Sequence, residues 1–285
     1  MTASLPECQR IRRLAAADLA ACGALAVDRG WPPEQNKWRL LLAIGEAYGI
    51  DDPGGGLAAA IVLTRYGRRL ACVGMMLVAS RHGRRGLGRL LLTHVLERAG
   101  QAVVYLAATS YSRQLCQDLG FRVIDTVDRH AGPFVPQAGA GDRVRVRPAS
   151  GRDLASLAAL DHQVFGADRQ EVLNRLPGFA EQVLVAQHDD GSLAGFAGAW
   201  RNEDDLVVGP LVASGLPAAR ALIATAGLAA GGPVRVDIRG FHRELASWAT
   251  GRGLIPCGHA TVMVRGGDLP GRRDQVYAPL SGATG

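Results

Sequence analysis

Lysine is nearly missing from this chain. Of 32 basic residues only Lys37 is not arginine, and these face 26 acids for a net charge of +6. Such a surplus can signal nucleic-acid binding. Here, however, arginines and acids interleave along both halves with no basic block, so nucleic acid is disfavoured as a partner. The five cysteines (Cys8, Cys22, Cys72, Cys116 and Cys257) are odd in number, scattered and free of any CxxC pair, which argues against a disulfide framework or a zinc centre. The two best-placed histidines, His82 and His94, lack ligand spacing, so no metal is expected. No apolar run reaches the roughly 18 to 20 residues that a membrane span needs. The opening stretch MTASLPECQRIRR has no signal-peptide core. The expectation is a cytoplasmic protein with no membrane partner.

The composition, 48% apolar and 20% charged over 285 residues, is that of a globular chain with room for two ordinary domains. AGPFVPQAGAGD reads as a connector. It suggests one domain over residues 1–131, a linker over 132–142 and a second domain over 143–285. On each side the patterning runs in one order: a short strand, a helix, hairpin strands, a helix, a strand, a helix and a closing strand. In the first half Trp38 to Ala47 reads as helical throughout. The echo extends to letters. VGMMLVAS (Val73 to Ser80) is answered by VGPLVAS (Val208 to Ser214), and LGF (Leu119 to Phe121) by RGL (Arg252 to Leu254), at nearly constant spacing. We read a tandem duplication of one α+β unit. The tail VYAPLSGATG is expected to return toward the domain interface, with no chemistry of its own.

The copies differ after LVAS. The first continues RHGRRGLGRLLL and the second GLPAARALI, where proline and alanines replace the glycines. A strand, a glycine-rich turn and a helix start together make an anion site, because unpaired amides and the helix dipole converge there. Gly83, Gly86 and Gly88 let backbone approach a phosphate without Cβ interference. The amides of His82 to Gly88 can donate to its oxygens, and Arg84, Arg85 or Arg89 can neutralise it. The alternative is an arginine-rich solvated turn. Walker A is excluded because the loop contains no lysine, and the dinucleotide GxGxxG fails because the third position is Leu91.

Gly83-Arg84-Arg85-Gly86-Leu87-Gly88, set between the strand VGMMLV and a leucine-rich helix and followed by LGF, resembles the Q/R-x-x-G-x-G/A signature of the GNAT superfamily of acyl-CoA-dependent N-acyltransferases. One departure is Gly83 at the position usually held by Gln or Arg; a grip made mainly by backbone is expected to survive it. The second half resembles a degenerate copy. The implied fold is mixed α/β: two tandem units, each a twisted, mostly antiparallel sheet flanked by helices.

The resemblance further implies acetyl-CoA as cosubstrate. Its pyrophosphate would lie on His82, Gly83, Arg84, Arg85, Gly86, Leu87, Gly88 and Arg89. Its pantetheine would lie along Met76, Leu77 and Val78, with an oxyanion donor near Leu77. The acceptor would be an amine, on a small molecule or on a protein or peptide. The position where the family often carries a tyrosine acid is Cys116, which reads equally as a buried apolar residue. Tyr111 is the substitute acid, and Glu46 or Asp28 the candidate base. Trp31 and Trp38 fall in the variable acceptor region and are expected either to line a substrate wall or to fill core. The rival reading is a non-catalytic protein that binds CoA or a partner.

Overall fold

The computed structural model describes residues 10–137 and 144–285; residues 138–142 of the expected linker lie outside that set. In the first half, β1 (Ile11–Arg13) is followed by α1 (Leu19–Asp28), α2 (Gln35–Ile44), β2 (Glu46–Asp51), β3 (Leu57–Tyr66), β4 (Leu70–Val78), α3 (Leu87–Ala99), β5 (Val103–Ala108), α4 (Arg113–Asp118) and β6 (Arg122–Gly132). The second half repeats the order: β7 (Arg145–Pro148), α5 (Leu154–Phe165), α6 (Gln170–Phe179), β8 (Gln182–Gln187), β9 (Leu193–Asn202), β10 (Asp205–Ala213), α7 (Leu216–Leu228), β11 (Val234–Arg239), α8 (Arg243–Thr250) and β12 (Ile255–Arg265). A short β13 (Val276–Ala278) follows.

One expectation needs correcting. The helix read over Trp38 to Ala47 stops at Ile44, and Glu46–Asp51 is a strand. Gly45, extended at ψ 173°, breaks the helical period, and β2 then pairs antiparallel with β3.

The halves share one sheet, in the order β1-β2-β3-β4-β5-β12-β6-β11-β10-β9-β8-β7, with β13 attached to β10. It is mostly antiparallel; among the described residues only β4–β5 and β10–β11 run parallel. The closing strands are exchanged. β6, from the first half, lies antiparallel to β11 of the second, and β12, from the second, lies antiparallel to β5 of the first. The two exchanged strands also pair with each other from Ile255↔Ala131 to Val264↔Arg122.

Helices cover both faces, which is why β3 is buried at nearly every position rather than alternating. On one face α3 sets Leu87, Leu91, Leu92, Val95, Leu96 and Ala99 against the sheet at helical spacing. On the other, α1 and α2 bury Cys22, Leu25, Trp38 and Leu41. A shared core joins the halves: Tyr66, Leu70, Cys72 and Tyr105 of the first pack with Phe165, Leu176, Phe196 and Val276 of the second.

Candidate active site

The site begins where two parallel strands stop pairing. β4 and β5 are in register from Leu70↔Val103 to Val73↔Leu106 and then separate, so the β4 edge beyond Val73 has no β5 partner. At the same point β4 bulges. Gly74 pairs with Val62 but Leu77 pairs with Ala60, one residue too many on β4, and Met75 takes a left-handed φ of 49°. Bulges of this kind re-aim backbone groups beside functional clefts.

Past β4 the chain makes one short turn of 3-10 helix (Ser80–His82) and enters the glycine-rich loop. Gly86 caps α3 at φ 81°, the left-handed region that glycine occupies without cost. A side-chain carbon there would meet nothing within 4 Å, so the loop's outer face is open. Three carboxylates anchor it from behind. Asp28 accepts from the Ser80 backbone N–H (2.6 Å) and hydroxyl (2.8 Å), so the structure gives this base candidate a loop-holding contact instead. Asp52 accepts from the Gly54 N–H (2.7 Å), His82 Nε2 (2.5 Å) and Arg81 Nε (2.7 Å). Those donors, the Gly54 amide foremost, hold the Asp52 carboxyl down at about 2. Asp118 pairs with Arg89 (2.8 Å). Arg84 and Arg85 are exposed and have no carboxylate partner among the described residues.

The splay opens into a cavity of about 340 Å³ that runs through to the junction of the halves. Its near end is walled by Met75, Met76, Ala107, Thr109, Ser112 and Cys116. Its far end is walled by Trp31, Glu34 and Lys37 from the α1–α2 segment, Arg129 from β6, Arg235 and Asp237 from β11, and His259 from β12. Strand exchange is what brings these together: Arg129 is in register with Asp237 on one side and Gly258 on the other. Sequence reading passed over this charged set because its members lie far apart in the chain and no local motif links them.

Within this chamber Arg235 grips Asp237 through both carboxylate oxygens (Nε to Oδ1 2.9 Å, Nη2 to Oδ2 2.7 Å). Burial alone would raise the Asp237 carboxyl, but the Arg235 fork overrides it and holds it below the ordinary range. Lys37 is ion-paired with Glu34. Burial pushes the Lys37 ammonium down, to about 7, with the Arg235 and Arg129 charges adding to the drop and the Asp237 carboxylate opposing it.

Cys116, Trp31 and Met76 line the cavity; Asp28, Tyr111, Glu46 and Trp38 do not, and neither do Leu77, Val78 or the loop residues His82 to Arg89. Tyr111 sits in the turn before α4, 90% exposed, and is not among the residues that line the cleft. Glu46 opens β2 on a different part of the surface, in a shallow hollow with Arg13, Tyr48, His94 and Arg98, and its oxygens are engaged by Arg65 Nε (2.6 Å) and Tyr48 Oη (2.8 Å). Trp38 is core, with no exposed surface. The Cys116 thiol is buried, and burial pushes it up to about 11, so it keeps its proton at neutral pH.

The matching splay in the second half is filled by the chain itself. β10 and β11 pair only at Leu206↔Val234 and Val207↔Arg235, and β13 then lies along β10, with Leu211 opposite Ala278 and Val212 opposite Val276. Tyr277 stacks on His242, centroids 3.8 Å apart. A side chain on Gly209 would stand 2.2 Å from the Pro279 carbonyl oxygen. The tail runs on into the first half. The Thr284 carbonyl accepts from the Tyr66 and Tyr105 hydroxyls, and the Gly285 carbonyl accepts from Arg169 Nη1 (3.0 Å). Gly282 and Ala283 form part of the cavity wall.

A mostly antiparallel sheet with one parallel pair that splays, a bulge beside the splay and a glycine-rich turn into a helix define an acyltransferase-like architecture. Known proteins agree. Residues 17–121 match the acetyltransferase (GNAT) family, and residues 157–278 match the acetyltransferase (GNAT) domain. The chain therefore carries two GNAT domains in tandem and belongs to that superfamily. It is 25% identical over 270 residues to the uncharacterised N-acetyltransferase YitH of Bacillus subtilis, covering 94% of each chain. In fold it resembles a presumptive acetyltransferase from Pyrococcus horikoshii, with TM-score 0.79, 18% identity and 97% and 95% of the two chains covered. It also resembles a tandem GNAT protein from the clavulanic acid biosynthesis pathway, with TM-score 0.60, 16% identity and 91% and 99% covered. No helix among the described residues is long and apolar enough to cross a membrane.

Proposed function

We propose that the protein is an acetyl-CoA-dependent N-acyltransferase whose single working site is the first-half cleft. The observation that carries this reading is the cavity that runs from the β4–β5 splay, on the strand that leads into the glycine loop, to the charged chamber between the halves. In this reading the amides from His82 to Gly88, with Arg84 and Arg85, hold the pyrophosphate. The unpaired β4 edge at Met76, Leu77 and Val78 receives the pantetheine, and an N–H near Leu77 faces the thioester oxygen. Acetyl-CoA supplies a thioester whose acyl group passes directly to an amine: a C–N bond forms, a C–S bond breaks, and the proton lost by the amine ends on the departing sulfur.

The chain's own residues orient the reactants and exclude water, and Trp31 forms part of the acceptor wall. Cys116 keeps a protonated thiol beside the cleft and is not a nucleophile. The filled second splay supports one site per chain. A second reading, CoA binding without transfer, is supported by the lack of any tyrosine among the described residues lining the cavity.

The deciding experiment follows free thiol released from acetyl-CoA with a panel of amines, alongside a calorimetric titration. Amine-dependent release and one CoA per chain support transfer. Binding without release by any amine supports the second reading, and two CoA sites per chain would overturn the assignment of one working site.

A further inference from the structure

We propose that the acceptor is an amine that also carries an anionic group, carboxylate or phosphate, and that Arg129 is the residue that selects it. This rests on the acyltransferase reading above and specifies its substrate class.

The charged groups of the far chamber pair off and leave one guanidinium without a hydrogen-bonded acid. The far chamber is lined by two arginines, Arg129 and Arg235, by Lys37, whose ammonium burial pushes down to about 7, and by two acids, Glu34 and Asp237. The acids are already engaged. Asp237 gives both oxygens to Arg235, at 2.9 and 2.7 Å, and Glu34 is paired with Lys37. Arg129 is left over. Its Nε is shut off from solvent and has no hydrogen-bond partner, and the closest carboxylate oxygen, on Asp237, stands 3.6 Å away. The side chain as a whole is 43% exposed and lines the cavity, and its other guanidinium N–H groups carry no hydrogen bond among the described residues, so they are open to a ligand.

The neighbouring strand brings no competing acceptor to Arg129. On β12 the residue beside Arg129 is Gly258, where a side-chain carbon would stand 3.4 Å from Arg129 Cβ and 3.8 Å from its Nε. His259, the next residue, is drawn away onto Asp128 (2.6 Å) rather than onto Arg129. An acceptor bringing only an ammonium would add a second surplus cation to the chamber. An acceptor whose ammonium is matched by its own anion neutralises the guanidinium and satisfies its free donor. The fork favours a planar or tetrahedral oxyanion over halide-like point charge.

The test uses the full chain and paired amines that differ only in the anion: an α-amino acid against its carboxamide, and phosphoethanolamine against ethanolamine. Acetyl-CoA-dependent thiol release should favour one anionic member by about ten- to a hundred-fold in kcat/KM, the range of one charge-assisted hydrogen bond. Which pair shows the preference distinguishes carboxylate from phosphate. R129Q should abolish the preference while leaving the KM for acetyl-CoA unchanged. R129K, which keeps the charge and loses the fork, should retain part of it. Equal turnover of anionic and neutral partners, or a preference that survives in R129Q, overturns the proposal and leaves the acyltransferase reading standing. Acetyl-CoA binding with no turnover of any amine overturns both.

Discussion

Gly74 of β4 lies directly against Ala283 of the tail: a side-chain carbon on Gly74 would stand 2.4 Å from Ala283 Cβ and 2.9 Å from its carbonyl oxygen. The tail therefore forms part of the cavity wall at the point where β4 and β5 separate. Gly74→Val should push it out. Overpacking of this kind costs about 1 to 3 kcal/mol, visible as a lower denaturation midpoint, and acetyl-CoA affinity should fall with it. Unchanged stability and affinity in this variant would mean that the tail does not shape the cleft.

The loop glycines are distinguishable by their surroundings. Gly86 holds φ 81° with open space around it, so Gly86→Val is strained by backbone conformation alone and should cost about 1 to 3 kcal/mol of stability. A carbon on Gly88 would meet Leu115 and Val78 at 3.6 and 3.7 Å, ordinary contact. Gly88→Ala should therefore fold normally and keep acetyl-CoA affinity, since its added carbon faces Leu115 and Val78 and the signature admits alanine there, whereas Gly86→Val should weaken binding. Calorimetric titration of both variants checks this; normal CoA affinity in Gly86→Val would reduce the loop to a turn.

Asp52 predicts a pH dependence. Its carboxyl is held near 2, below the unfolded value, so the stabilisation it gives is fully present above pH 4 and is lost as pH falls toward 2. Asp52→Asn removes that dependence and releases Arg81 and His82. Acid unfolding curves of the two proteins should differ in the window between pH 4 and 2. Identical curves would exclude Asp52 as the anchor of the loop.

Cys116 and Tyr111 are separable by rate and stability. Cys116 is buried and Tyr111 is 90% exposed. Cys116→Ser should lower stability and leave turnover per folded molecule nearly unchanged, and Tyr111→Phe should alter neither. A loss of about 10² to 10⁴ in Cys116→Ser alone would instead make its thiol the general acid.

Strand exchange should make unfolding a single event. Because β12 sits between β5 and β6, neither half keeps its sheet without the other. Differential scanning calorimetry should give one transition with matching van't Hoff and calorimetric enthalpies. Two resolved transitions would mean that the halves unfold independently despite the exchange.

The sequence by itself determined what local physics writes into adjacent residues. The duplication, the strand–loop–helix around Gly83 to Gly88 and the loss of those glycines after Ser214 are patterns of spacing and conformational freedom, readable without coordinates. Where periodicity was weak, the local signal failed: a single extended residue, Gly45, separates α2 from β2, and two helical turns of apolar residues hid the break.

Tertiary structure alone decided which chemistry-bearing residues meet. Glu46 and Tyr111 have suitable side chains, yet ion pairing on β2 and exposure before α4 keep them away from the cavity. Arg129, Asp237 and Gly258 share a chamber only because β6 and β12 change places, a pairing between segments more than a hundred residues apart in the chain. The same holds for the tail, whose small residues pack where Gly74 and Gly209 leave room. Long-range pairing is set by the total burial of the assembled sheet, and no window of sequence contains that quantity.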